Sequence, residues 1–543
     1  MMAGMGANLP QTIPAFFAAT VDKRGDDPAL GFIRDGVLQW RTWQEIADEA
    51  ARLAAAIESA GIEPGDRVAQ VSENRYEWVI TDLAIHWIGA VHVPIHVTLS
   101  GQQIAEQIAD CGARLVFVSS RELLAKFAKL LDQGVRKWIH DEPIAATQRV
   151  AGFATQPQAA PDDLATILYT SGTTGRPRGV MLSQRNLASN AAAVVESHCG
   201  GPEQTRLCIL PLSHIYARTC DLYTWIFGGW RLVLAESRES MTRDCRLAQP
   251  TSMSAVPFVY QRIAEKVQAG GSSDAATSLR NEFGGRMEQP SCGGAPLAPH
   301  IEAWYAECGL PVLPGYGLTE TSPVVAKSTM DARRRGSVGR PLPNVEVRIA
   351  ADGEIVVRGP NVMLGYWQDE AATNEIIREG WLHTGDLGEL DDDGFLYVRG
   401  RKKELIVLST GKKVIPTRVE AMLTSSPLID QAAVFGDGRP GIVALIVPNE
   451  QGARSEERGA RNKVIGNEIN RCLATAAHEE QVHRFAIVNR PFSMERGEMT
   501  PKLSLCRKVI ASNFKQQIEL LNQPIVFGNH HKGTKNTKHP TNV

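Results

Sequence analysis

The chain has 543 residues, a formal net charge of −2 and 43% hydrophobic residues. That length is too great for one hydrophobic core, so two or more domains are expected. The near-neutral charge gives no reason to expect a nucleic-acid partner. The nine cysteines form no Cys-x-x-Cys pair, which argues against a zinc site or a disulfide framework and fits buried thiols in a reducing compartment.

The first residues, Met-Met-Ala-Gly-Met-Gly-Ala-Asn, lack the charged segment and apolar core of a signal peptide. The most apolar stretch, Leu83 to Leu99, is interrupted by His86, His92, Pro94 and His96 and is no candidate bilayer span. The expectation is a cytoplasmic protein, with peripheral association to the inner face of a membrane left open.

In chain order, Thr42-Trp-Gln-Glu45 reads as a capping box. Ile46, Leu53 and Ile57 follow at helical spacing, and Gly61 suits the helix stop. A strand over Arg67–Val71, a helix from Tyr76 to Gly89, and strands at Val91–Ile95 and Leu115–Val118 follow. This alternation predicts a parallel sheet covered by helices. Residues 139–161, rich in Ala, Gln and Pro, read as a surface connection. Further strands are expected at Leu164–Leu168, Leu207–Leu210, Arg231–Leu234 and Ser252–Val256, with a Gly/Ser/Ala-rich loop over 268–278.

After Gly336 the pattern changes to hairpins. Asp352-Gly353 and Asp393-Gly394 are turn signals between short apolar runs. A charged cluster, Arg399-Gly-Arg-Lys-Lys-Glu404, precedes a smaller unit with strands, a turn at Thr410-Gly411 and a helix near Arg418–Leu423. The fold class is α/β: a large N-terminal domain of helix-covered sheets (1–400) with a β-rich closing unit (335–400), then a small mobile α+β lid (401–526). The polar tail 527–543 is expected to be disordered.

Three loops carry the chemistry. Tyr169-Thr-Ser-Gly-Thr-Thr-Gly-Arg-Pro-Arg-Gly179 follows an apolar strand and packs hydroxyls, glycines and guanidiniums together. Glycine lets backbone N–H groups approach an anion, and hydroxyls and cations complete the cradle. The spacing is not that of a Walker A loop. Gly315-Tyr-Gly-Leu-Thr-Glu-Thr321 presents a ring that can stack on a base, a hydroxyl that can reach phosphate and a carboxylate that can hold Mg²⁺. In Trp381-Leu-His-Thr-Gly-Asp386 the carboxylate can accept both hydroxyls of a ribose.

Together, and in this order, these loops resemble the signatures of the adenylate-forming (AMP-binding) superfamily. The likeness runs from about Pro10 to Ser512 and is closest to long-chain fatty acyl-CoA synthetases, through Gly-Tyr-Gly-Leu-Thr-Glu-Thr-Ser-Pro-Val-Val and Phe492-Ser-Met-Glu-Arg-Gly-Glu-Met-Thr-Pro501. The resemblance implies ATP-dependent activation of a fatty acid to acyl-AMP and transfer to CoA, with Mg²⁺ as cofactor. It assigns nucleotide contacts to Thr170, Ser171, Gly172, Thr173, Thr174, Gly175, Tyr316, Gly317, Thr319, Asp386 and Arg401. Ser291-Cys-Gly-Gly-Ala-Pro296 resembles the segment bordering adenine, which adds Gly293, Gly294, Ala295 and Pro296. Glu320 is the implied metal ligand and Lys403 the implied hinge. His214 and Arg218, in Leu210-Pro-Leu-Ser-His-Ile-Tyr-Ala-Arg218, lie in a motif found near the acyl carboxylate. The implied catalytic set is Thr174, Arg178, His214, Glu320 and Lys502, while Thr410-Gly-Lys-Lys413 matches a loop that faces the site during thioester formation.

Two positions depart from the family pattern. Arg178 stands where lysine is usual, and a planar fork is not equivalent to an ammonium. Ser504 stands at the usual catalytic lysine, in Thr500-Pro-Lys-Leu-Ser-Leu-Cys-Arg507, and Lys502 is the nearby cation able to substitute. Loss of one preorganised charge-stabilising group costs about a hundredfold in rate. Two alternatives therefore stay open: a catalytically impaired protein that binds nucleotide or acyl-adenylate, and a ligase that passes the acyl group to a carrier protein.

Overall fold

The computed structural model describes residues 11–142, 157–171, 177–198, 200–201, 203–271, 273–449, 458–493, 495–499, 505–523 and 541–542. Two large sheets carry the N-terminal part. The nine-stranded sheet runs Arg340–Pro341, Val324–Lys327, Leu313–Gly317, Gln289–Cys292, Ser252–Ala255, Thr205–Cys208, Arg231–Leu234, Pro28–Arg34, Val37–Thr42. The seven-stranded sheet runs Gly365–Tyr366, Pro177–Ser183, Leu164–Ser171, Val91–Ile95, Arg67–Val71, Leu115–Val118, Arg136–Ile139. Inner neighbours are parallel, while Val37–Thr42 and Pro177–Ser183 pair antiparallel and the edge strand Arg136–Ile139 pairs parallel, so helices cross over between the parallel strands and cover the faces.

The helix Trp43–Ser59 illustrates the local logic. Thr42 Oγ1 accepts from Glu45 N at 3.2 Å and Glu45 Oε2 accepts from Thr42 N at 2.8 Å, a closed capping box. Trp43, Ile46, Ala50, Ala54 and Ile57 make one buried face. Trp43 then stacks on Trp225 with ring centroids 4.4 Å apart, tying the first helix layer to the middle of the chain.

The β-rich unit pairs Glu346–Ile349 with Glu354–Arg358, then Trp381–Leu390, then Leu396–Arg401. Gly353 and Gly394 have φ of +87° and +78°, the left-handed turn geometry that glycine supplies. Its apolar face, Val345, Ile355, Val357 and Leu396, packs on Ala193 and Val194 of the helix Gln184–Glu196, on Cys220 of the helical segment Arg218–Tyr223 and on Val325 of the nine-stranded sheet. The last unit is built on a four-stranded sheet, Ile429–Phe435, Ile442–Pro448, Val482–Ile487 and Thr541–Asn542. Val414, Val419, Leu423, Ile446, Ile465 and Phe485 form its separate core.

Several sequence expectations need correction. The 268–278 stretch is only partly loop: helices Pro257–Ala269 and Ala275–Glu282 enclose it, the second capped by Asp274, whose carboxylate accepts from Thr277 N at 2.9 Å. The Ala-Ala-Thr-Ser run was helix-competent once an N-cap preceded it. Arg136–Ile139 forms an edge strand just before the presumed surface connection, and residues 143–156 lie outside the described set. Tyr316 stands on a strand, Leu313–Gly317, and not on a free loop. The tail is outside the described residues except Thr541–Asn542, which pair with Arg484–Phe485.

Candidate active site

The phosphate-loop motif is a β-hairpin. Leu164–Ser171 pairs antiparallel with Pro177–Ser183, placing Thr170 opposite Arg178 and Tyr169 opposite Gly179. The sequence reads as one loop over this stretch; ladder pairing instead carries strand up to Ser171 and again from Pro177. Gly172, Thr173, Thr174 and Gly175 lie outside the described residues, as does the side chain of Ser171. Gly179 is required for packing: a Cβ there would meet Ile167 Cγ2 at 2.7 Å and Trp367 Cβ at 3.1 Å.

Strand Gly365–Tyr366 adds to the edge of that hairpin, pairing Tyr366 with Val180. This brings three elements together. The Arg178 guanidinium lies 5.4 Å from the Tyr366 ring centroid and 3.5 Å from Asp369 Oδ2. The Tyr366 hydroxyl donates to Glu320 Oε1 at 2.9 Å. The backbone of the 319–321 turn is fixed as well, because Met363 N donates to Glu320 O at 3.0 Å. Among the described residues Glu320 Oε2 accepts no hydrogen bond, so an oxygen donor of the kind Mg²⁺ prefers is available.

Tyr316 and Asp386 form the next link. The Tyr316 hydroxyl donates to Asp386 Oδ2 at 2.7 Å, and Arg401 Nε lies 2.9 Å from Asp386 Oδ1. Asp386 is opposite Arg401 in the ladder, and Gly385 ahead of it has φ +71°. Gly385 N donates to Glu354 Oε1 at 2.8 Å and Asp386 N to Thr384 Oγ1 at 3.0 Å, which fixes the turn. Burial pushes the Asp386 carboxyl above its usual range, Arg401 and Tyr316 pull it down, and Glu320 and Glu404 add repulsion. Gly317 packs edge-on against the following segment: a Cβ would sit 1.7 Å from Pro323 O.

The Gly-Gly-Ala-Pro segment follows the strand Gln289–Cys292. Gly294 has φ +83° and is exposed, Ala295 is half-buried and Pro296 exposed. A Cβ on Gly293 would meet the Tyr216 ring at 2.9 Å, so Gly293 is what admits this tyrosine. His214, two residues before Tyr216, lies with its ring centroid 3.9 Å from that of His96. Asn74 clamps the approach: its Oδ1 accepts from Leu212 N and its Nδ2 donates to Leu210 O, both at 2.7 Å.

Arg218 is not a pocket residue. It is fully buried, donating to Asp82 Oδ1 at 2.6 Å and Thr166 Oγ1 at 2.8 Å, with His86 and His92 around it. Asp82, His86 and His92 could in shape hold a metal ion, but the guanidinium fills that place. Burial holds His92 down at about 3, with Arg218 adding to the effect.

Toward the end of the chain, Lys402 Nζ reaches Asp352 at 2.5 Å and Glu354 at 3.0 Å, anchoring the residue between Arg401 and Lys403 to the β-rich unit. Thr410, Gly411, Lys412 and Lys413 are exposed. Lys502 and Ser504 lie outside the described residues, but their flanks are held. Met499 bridges Leu505, and Cys506 N donates to Glu498 O at 2.8 Å. Glu498 is gripped by Arg490 at 2.7 and 2.8 Å, Asn513 at 2.9 Å and Arg496 at 3.2 Å.

Two linked trios result, Arg178–Tyr366–Glu320 and Tyr316–Asp386–Arg401, drawn from segments up to 223 positions apart and joined through the short stretch of chain that carries both Tyr316 and Glu320. Sequence reading missed Tyr366, Asp369, Asn74 and Tyr216. The signal for the first was the Gly365-Tyr-Trp run, an aromatic pair after a glycine with no apolar periodicity around it.

Comparison with known proteins decides the family. The family described as AMP-binding enzyme matches residues 17–367, and the AMP-binding enzyme C-terminal domain matches 403–524. The chain belongs to the AMP-binding enzyme family. The long-chain-fatty-acid–CoA ligase FadD15 of Mycobacterium bovis is 32% identical, over 93% of this chain and 96% of that protein. A feruloyl-CoA synthase of an Amycolatopsis species is 33% identical over 75% of this chain and 83% of its own length. Among solved structures, the Bacillus subtilis O-succinylbenzoate CoA synthetase in complex with ATP and magnesium ion aligns with TM-score 0.75 and 25% identity, covering 91% of this chain and 98% of that one. ATP-bound MatB from Rhodopseudomonas palustris aligns with TM-score 0.76 and 27% identity over 92% and 99%. The α/β architecture of a large N-terminal and a smaller C-terminal part is shared with these enzymes. Among the described residues no helix is long and apolar enough to cross a membrane.

Proposed function

We propose that this chain activates a long-chain fatty acid with ATP and transfers it to CoA, releasing AMP and pyrophosphate. The class, an adenylate-forming acyl-CoA ligase, rests on the family match. The fatty acid rests on the likeness to FadD15 over nearly the whole chain. The observation that carries the nucleotide reading is that the trios Arg178–Tyr366–Glu320 and Tyr316–Asp386–Arg401 meet on the segment from Tyr316 to Glu320, which supports one ATP site with base, ribose and phosphate contacts adjacent.

In this reading the Tyr316 ring lies against adenine and Asp386 accepts the ribose hydroxyls. Glu320 would hold Mg²⁺, which neutralises phosphate charge when bound. The hydroxyls of Thr170, Ser171, Thr173 and Thr174, with Arg178, orient the phosphates. The acyl carboxylate attacks the α-phosphate and pyrophosphate leaves. The thiolate of CoA then attacks the carbonyl of acyl-AMP, with AMP as leaving group. No protein nucleophile is needed; positioning and charge neutralisation do the chemistry. Lys403 is the pivot of the C-terminal unit, which closes the site to water.

Ser504 favours a second reading, an impaired protein that binds nucleotide or acyl-adenylate. Purified protein incubated with ATP, Mg²⁺ and palmitate, with and without CoA, separates the two. Pyrophosphate release with palmitoyl-CoA formation supports the ligase. Thioester from synthetic palmitoyl-AMP but not from ATP indicates a half-enzyme, and transfer only to an added carrier protein indicates a carrier-protein ligase. Ferulate in place of palmitate checks the acid: a strong preference for it would overturn the fatty-acid assignment.

A further inference from the structure

Arg178, Tyr366 and Glu320 come from three separate segments, and the order of contact between them is specific. Tyr366 is buried and uses both faces of its chemistry. Its hydroxyl donates to Glu320 Oε1 at 2.9 Å, and its ring carries the Arg178 guanidinium 5.4 Å from its centroid. Arg178 is held from the other side by Asp369, at 3.5 Å. Asp369 is itself fixed, because its Oδ1 caps the helix Glu370–Ile376 by accepting from Ala372 N at 3.0 Å. The backbone repeats the connection: Trp367 N donates to Gly179 O at 2.7 Å and Met363 N to Glu320 O at 3.0 Å.

A guanidinium suits this place better than an ammonium. Its spread charge can lie against an aromatic ring while one nitrogen faces a carboxylate, and both approaches are made here, to Tyr366 at 5.4 Å and to Asp369 at 3.5 Å. A carboxylate with one oxygen tied down by a phenol keeps the other in a fixed direction, which is how an outer partner orients a metal ligand.

We propose that Tyr366 is a positioning residue for the metal of the nucleotide complex: its hydroxyl aims Glu320, and Arg178, braced by Asp369, holds the Tyr366 ring and so couples the phosphate hairpin to the metal carboxylate. This rests on the ATP-site reading above.

The test is Mn²⁺ binding to the protein–ATP complex, followed by electron paramagnetic resonance of free Mn²⁺, with AMP binding by calorimetry as a metal-free reference. Tyr366→Phe keeps the ring and the strand and removes only the hydroxyl. It should weaken Mn²⁺ binding about tenfold while leaving AMP affinity within about twofold. Arg178→Lys should weaken Mn²⁺ binding about threefold through a weaker hold on the Tyr366 ring. In a Glu320→Gln background, Tyr366→Phe should have no further effect, since it acts through that carboxylate. Equal Mn²⁺ affinity in Tyr366→Phe and wild type, or additive losses in the double variant, would overturn the positioning role alone. Wild-type protein that adds nothing to the Mn²⁺ affinity of free ATP would overturn the ATP-site reading with it. If Tyr366→Phe does not fold, by near-ultraviolet circular dichroism, the Arg178→Lys comparison decides: unchanged Mn²⁺ affinity there overturns the coupling.

Discussion

The Tyr316 hydroxyl donates to Asp386 Oδ2 at 2.7 Å, joining a residue on the strand Leu313–Gly317 to one on the strand Trp381–Leu390. The two come from different sheets, so the bond crosses from the large sheets to the β-rich unit. In the proposed site it aligns the adenine ring partner with the ribose acceptor before any nucleotide arrives.

Asp386→Asn should raise KM for ATP by about 10- to 100-fold, the range for hydrogen bonds to a charged acceptor. Tyr316→Phe keeps the ring and removes only the alignment, so a loss of about fivefold or less is expected. Initial rates of pyrophosphate release against ATP concentration measure both. Equal effects of the two substitutions would show that the Tyr316–Asp386 hydrogen bond, and not a ribose contact of the carboxylate, carries the affinity.

Gly317→Ala should abolish adenylation. Its Cβ would fall 1.7 Å from Pro323 O, a backbone atom that cannot swing aside, so the turn carrying Thr319 and Glu320 must move. Gly293→Ala meets the Tyr216 ring at 2.9 Å and should have a milder effect. Pyrophosphate release by both variants, beside thermal melting, checks the order; a fully active Gly317→Ala would contradict the geometry.

Arg218→Met should destabilise the fold by about 3–5 kcal/mol, because it strands a buried Asp82 carboxylate without its cation. Pairing it with Asp82→Asn should return part of that loss, since no unpaired charge then remains. Urea unfolding of the single and double variants measures both. An Arg218→Met protein as stable as wild type, but inactive, would instead assign Arg218 to the substrate pocket.

Glu498 gives a pH dependence with a definite sign. Its carboxyl is held at about 2 against an ordinary 4.5, first by the Arg490 hydrogen bonds and then by Asn513 and Arg496, with burial opposing. A depressed carboxyl stabilises the folded state fully above its unfolded value and loses that contribution as pH falls toward its folded one. The stability gap between wild type and Glu498→Gln should therefore be widest above pH 4.5 and close as pH falls toward about 2. A gap independent of pH in that window would remove ionic pairing as its cause.

Lys502→Ala is expected to abolish acyl-AMP formation and Ser504→Ala to leave it intact, if Lys502 supplies the positive charge that Ser504 does not. Acyl-AMP formation measured by pyrophosphate release is the check, and equal activity of Lys502→Ala and wild type would refute the substitution.

Much was legible without coordinates where local chemistry is complete in a short window. The Thr42–Glu45 capping box, the Asp352-Gly353 turn and the hydrophobic spacing of Trp43–Ser59 are decided by neighbours within a few residues. The 268–278 stretch was harder, because a helix start there depends on one N-cap, Asp274, amid loop-like composition. Arg218 shows another limit: position in a motif near the acyl carboxylate does not reveal whether a side chain faces substrate or supports the site from within, as Arg218 does on Asp82, 136 residues away.

The sequence by itself determined the kinds of group present in three ordered motifs, and through them the family. Motif order and residue type survive in a linear string because each loop needs its own hydroxyls, glycines or carboxylate wherever it ends up. Only the tertiary structure decided which of those groups touch. The partnership of Tyr366 with Glu320 and Arg178, and the burial of Arg218 on Asp82, depend on strand pairing and packing between distant segments. Such long-range contacts are set by which edges pair and which faces bury, and no local pattern encodes them.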